Sequence, residues 1–157
     1  MAASALPAPV HAFSPTPASA SVLVRARQDP AFAAFWVLRL GFIALPLLMG
    51  LDKFTNLLTD WPGYLAPWVV AVLPISAQAA MYVIGVVEIV AAIGIVLRPR
   101  LAAWVVAAWL AGIILNLLTY PGFFDVALRD VGLLVAAVSL GLLASTYDRP
   151  RTEADAR

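Results

Sequence analysis

Residues 80–97 read AMYVIGVVEIVAAIGIVL, eighteen positions with one ionisable group, Glu88, near the middle. An apolar run of about this length crosses the hydrocarbon core of a bilayer as a helix. A carboxylate at that depth is costly unless it is paired or protonated, so Glu88 marks a place where the interior has to be polar.

The rest of the chain fits that setting. Its 157 residues are 63% hydrophobic and 12% charged, with a mean hydropathy of +0.93. Soluble domains average about 45–50% apolar and about 25% charged residues. The solvent of this chain is therefore lipid. At about 20 residues per span there is room for four or five helices in one domain. A net charge of +1 gives no general electrostatic grip on nucleic acid. There is no cysteine, hence no disulfide, thiolate redox centre or iron–sulfur cluster held by this chain. The single histidine, His11, lies in a polar tail, which excludes haem held by paired histidines, and no metal site is expected.

Residues 1–30 are rich in Ala, Ser and Pro, a composition that predicts a disordered tail. Arg25 and Arg27 precede the first apolar run, as in a signal peptide. That run is too long for one, however, and contains Arg39 and Pro46, so it reads as a retained helix over 32–57. Arg39, Pro46, Gly50 and Lys53 keep the spacing of one helix face. Segment 59–79 carries Pro62, Pro67 and Pro74 together with Trp61, Tyr64 and Trp68, aromatics suited to a membrane interface. A short interfacial or re-entrant helix is predicted at 66–73. The second span is 78–97, with Gln78, Tyr82, Gly85, Glu88 and Ala92 on one face. A basic turn at 98–100 leads to the third span, 101–120, with a small-residue face of Ala108 and Gly112 followed by Asn116. Pro121-Gly122 ends it. The fourth span is 125–146, and residues 148–157 form a charged tail.

The fold class is thus all-α, a four-helix transmembrane bundle over 31–147. With four spans, the basic segments before the first, between the second and third, and after the fourth all fall on one side. The positive-inside bias then predicts a multi-pass protein of a bacterial cytoplasmic (inner) membrane with both termini cytoplasmic.

Depth can be counted at about 1.5 Å per residue, with residues 32, 97, 101 and 146 taken as level cytoplasmic ends. Arg39 then lies at about 10 Å and Glu88 at about 14 Å, which predicts an inner polar level where the two meet. Asn116 and Asp130 come at about 22–24 Å, Arg129 at about 25 Å, and Asp52, Lys53 and Asp125 at about 30 Å, an outer level with both signs. Arg39, Lys53, Glu88, Asn116, Arg129 and Asp130 are the candidate intramembrane polar site. Each has a plainer reading. Arg39 snorkels, Glu88 sits in a structural ion pair, Asp52 and Lys53 form a solvated pair, and Arg129 and Asp130 serve the start of the last helix. Gly85, Gly112 and Gly132 read as packing residues.

LRLGFIALPLLMGLDKF, with its Arg near the start and Gly50-x-x-Lys53 near the end, resembles the first helix of DoxX-like integral membrane proteins. GVVEIVAAIGIVLRPRLAAW resembles that family's second helix and basic turn, and ALRDVGLLVAA its last helix. The likeness covers about residues 33–145. Where the family often has a histidine just before the first-helix glycine, this chain has Met49. The resemblance implies a four-helix bundle associated with quinone-linked redox systems, including a subunit of thiosulfate:quinone oxidoreductase, and with oxidative-stress complexes. Three functions are open on the residues alone. The first is a redox accessory subunit that binds a quinone beside a partner holding the redox centre. The second is a small-solute transporter, with a homo-oligomer as one arrangement. The third is an assembly subunit of a membrane complex.

Overall fold

The computed structural model describes residues 22–148. Most of the segment expected to be disordered, and nearly all of the charged C-terminal tail, lie outside them. Where the two overlap, the expectation is corrected: Val22–Gln28 form a helix, α1. It packs on the next helix, with Arg25 4.4 Å above the Phe32 ring.

The four spans follow as α2 (Pro30–Asp52), α4 (Ala77–Leu97), α5 (Pro99–Leu118) and α6 (Phe124–Tyr147), all long and apolar enough to cross a bilayer. A 3-10 turn (Trp61–Tyr64) and a short helix α3 (Pro67–Val72) lie between α2 and α4, close to the short helix expected there. No strand occurs among the described residues.

Local chemistry sets the boundaries. Asp29 caps α2 by accepting the Phe32 amide at 3.0 Å, with Pro30 in the first turn, where a missing N–H costs nothing. Ser76 caps α4 by accepting from the Ala79 amide. Pro99 starts α5 one residue after α4 ends, which makes the 98–100 turn tight. The first span stops at Asp52, five residues short of the expected 57. The reason is Asp52 itself. Its carboxylate accepts the amides of Leu57 and Leu58 and the indole N–H of Trp61 at 2.7 Å, drawing the chain back over the helix end.

The spans alternate in direction. α2 packs on α4, α5 on α6, and α2 on α6 and α4 on α5 close the square. One end carries the Arg98 turn and a clasp in which Tyr147 donates to Asp29. The other carries the 53–76 connection and the 119–123 turn. The apolar core (Phe35, Phe42, Ile95, Val106, Leu110, Leu140) spans all four helices. The outer surface is covered by exposed Val, Leu and Ile, as a bundle bathed in lipid requires.

Glycines decide how close α2 and α4 come. A Cβ on Gly50 would lie 2.8 Å from the Gly85 carbonyl oxygen, and one on Gly85 2.7 Å from the Gly50 carbonyl oxygen. Only two glycines permit this crossing. Gly112 and Gly132, expected to pack, do not: a Cβ on either would meet nothing within 4 Å.

Candidate functional site

The two polar levels inferred by counting are corrected by the register of α2 against α4. Gly50 meets Gly85, and Arg39 donates to the Val96 carbonyl at 2.7 Å. Eleven residues back along α2 thus match eleven residues forward along α4. The ends 32 and 97 are not level; the pairing is displaced by about six residues, or about 9 Å. Arg39 therefore misses Glu88 and instead satisfies a carbonyl in the last turn of α4, which has no intrahelical partner. Its guanidinium also lies over the Trp36 and Phe35 rings, 5.1 and 5.7 Å from their centroids.

Glu88 is met by Lys53. The ammonium stands 2.7 Å from Oε2, with the side chains 5% and 13% exposed. Lys53 reaches it because Gly85 clears the way: the lysine Cβ passes 3.3 Å from where a Gly85 Cβ would be. From the other side the Trp61 ring covers the ammonium, 3.8 Å from its centroid. A desolvated cation over an indole face is the strongest form of that interaction. Asp52 and Lys53 are both buried and do not pair with each other, so the solvated-pair reading of them is overturned. Each goes to its own partners, and Trp61 joins the two by donating to Asp52 while covering Lys53.

Asn116 acts on the connection rather than on another span. Its carbonyl oxygen accepts the Ala66 amide at 3.0 Å, and its amide donates to the Tyr64 carbonyl at 2.8 Å. Those two backbone groups would otherwise be orphaned, and Ala66 is fully buried. Trp68 donates to Thr119, and Asn56, at φ 51°, donates to Gln78, which reaches the Lys53 carbonyl. The 53–76 connection is a lid laid across the polar end and pinned by side chains of α2, α4 and α5.

Asp130 is half-buried and within electrostatic reach of Glu88, and its carboxylate has no hydrogen bond or ion pair among the described residues. Arg129 is not part of this group. It is exposed and pairs with exposed Asp125 one turn before it, at 3.2 Å, a surface contact of small energetic weight. The site is thus the buried Lys53–Glu88 pair under Trp61, with the half-buried Asp130 carboxylate within electrostatic reach of Glu88, one cation and two acids in all. Such a trio carries one negative charge when fully ionised, so it has capacity for a proton or for the donor groups of a ligand. Sequence reasoning named Trp61 only as an interface aromatic and Asp52 only as half of a solvated pair, and missed that Trp61 bonds Asp52 while covering Lys53. The signal for the pair itself was present, since Gly50-x-x-Lys53 and Gly85-x-x-Glu88 repeat one spacing on the two helices that cross.

The chain matches no protein-family model, no curated protein and no solved structure. The likeness to DoxX-like membrane proteins rests on the motifs quoted above.

Proposed function

We propose that this multi-pass membrane protein is a DoxX-type accessory subunit of a quinone-linked redox or oxidative-stress system. On this reading it sits in a bacterial cytoplasmic membrane with both termini inside. The observation that carries the reading is the buried Lys53–Glu88 pair with Asp130 beside it. Lys53 has three N–H donors and gives one to Glu88, leaving two for a carbonyl oxygen. Glu88 and Asp130 supply carboxyl groups able to give or take the protons that accompany quinone reduction. Phe54 and Tyr82, stacked with centroids 5.4 Å apart, edge the same crossing with exposed rings that suit a planar head group. A bound quinone would supply the electron-accepting chemistry. The electrons themselves come from a partner subunit, because this chain has no cysteine and no histidine but His11.

The test is photolabelling of the protein in nanodiscs with a photoreactive short-chain quinone, competed by unmodified quinone. The expected result is labelling of the peptides around 53–61 and 82–88, lost in E88Q and in K53M. Uniform or absent labelling of the wild type sinks the reading. Asp130, unpaired beside Glu88, favours a second reading, proton-coupled transport of a small solute. In that case D130N abolishes proton uptake in proteoliposomes and quinone labelling is absent.

A further inference from the structure

At the opposite end of the bundle lies an open basin of about 900 Å³ lined by Leu97, Arg98, Arg100, Leu101, Trp104, Tyr147 and Asp148. Its cationic groups are uncommitted: neither Arg98 nor Arg100 makes an ion pair or hydrogen bond through its side chain among the described residues, even with Asp148 on the same rim. The Trp104 indole N–H likewise has no hydrogen-bond partner among the described residues. That ring is held in place by α6. A Cβ on Gly141 would lie 3.0 Å from Trp104 Cε2 and 3.1 Å from Nε1, so the glycine makes room for the indole against the helix. Two guanidinia and one indole donor therefore share a basin, and Leu97 and Leu101 present exposed apolar surface at its edge.

We infer that this basin binds the phosphate of an anionic phospholipid, with Arg98 and Arg100 on the phosphate, Trp104 at its glycerol side and the first acyl carbons along Leu97 and Leu101. Arginine matches phosphate oxygens two at a time, and an indole belongs at the depth where head group meets chain. A free phosphate shares the first chemistry and has no use for the second. Basic groups between spanning helices are a recurring way of holding anionic head groups. The inference is independent of the quinone reading, since it shares no residue with the Lys53 site.

Native mass spectrometry of the protein released from nanodiscs of mixed phosphatidylglycerol and phosphatidylcholine tests it. The wild type should retain phosphatidylglycerol over phosphatidylcholine, R98Q/R100Q should lower that preference about thirty-fold, and R98K/R100K, which keeps the charge and loses the paired donors, should lower it by less. W104F should weaken retention with both arginines in place. Inorganic phosphate at millimolar concentration should not displace the lipid. An unchanged preference in R98Q/R100Q of normal helicity, or displacement by inorganic phosphate alone, overturns the inference. If R98Q/R100Q fails to fold, W104F decides: retention equal to wild type overturns it.

Discussion

Toward the Arg98 turn the interior of the bundle is Phe35, Ile95, Leu140 and Ala144; toward the 53–76 lid it holds Lys53, Glu88, Asp52 and Asn116. The same four helices build both halves, but what holds each differs. In lipid, an apolar side chain that leaves its neighbours still finds hydrocarbon, so the apolar half is held by fit and dispersion and not by escape from solvent. The polar half has no such fallback. Each of these charges and amides is held by specific partners, and removing one leaves a polar group stranded where neither water nor lipid can serve it. The lid half should therefore be brittle and the apolar half tolerant.

The largest effect expected is from K53M. Stranding Glu88 should cost about 3–5 kcal/mol, and the double variant K53M/E88L should recover most of it. Denaturant unfolding in bicelles, beside L140M, reads the contrast; L140M should cost less than about 1.5 kcal/mol. If K53M is as mild as L140M, the two halves do not differ in the way argued. Next is G85A, whose new methyl must displace the Gly50 carbonyl; about 1–3 kcal/mol is expected in the same assay, against none for G112A or G132A, which face open space. N116A should follow at about 1–2 kcal/mol, because the Tyr64 carbonyl and Ala66 amide lose their partner. Its sharper readout is proteolysis within 61–66, faster in N116A and unchanged in L140M.

The smallest effect sharpens the comparison from the apolar end, where Asp29 and Tyr147 form a polar clasp. The Phe32 amide, more than the Tyr147 hydroxyl, holds the Asp29 carboxyl below the usual carboxylate range, against the opposing effect of desolvation. A depressed carboxylate stabilises the fold above its unfolded pKa, and that contribution is lost as pH falls through the folded value. Melting temperature should thus drop below the ordinary aspartate range in the wild type, and D29N should flatten this part of the profile. An identical acid profile in D29N would show that the loss does not arise at this clasp.

The four spans and the short helix at 67–72 were legible because apolar length, proline position and basic turns are local signals. The partner of Glu88 was not, because heights along separate helices compare only when their ends are level. The Gly50–Gly85 contact sets the α2–α4 register, and it displaces α2 by nearly two turns from the level assumed. Matching Gly-x-x-Lys with Gly-x-x-Glu would have identified the pair, since glycine facing glycine fixes where two helices touch. The end of α2 was hidden for another reason. Residues 53–57 (KFTNL) hold no proline or glycine to stop a helix, and it is the reach of Asp52 to the Leu58 amide and the Trp61 indole that ends it. Arg129 was misplaced because spacing alone does not tell an inward face from an outward one.

Asn116 stands fifty residues downstream of the Ala66 amide it holds. A ribosome feeding this chain into the membrane must therefore finish most of the third span before the segment after the first can settle. Until then Tyr64 and Ala66 have only water to bond with, which keeps that segment out of the hydrocarbon. A nascent chain stalled before residue 116 has left the ribosome would carry it exposed to added protease, and a chain stalled after Asn116 has emerged would hide it. The bundle is closed from its middle outward in time, although it is read from one end.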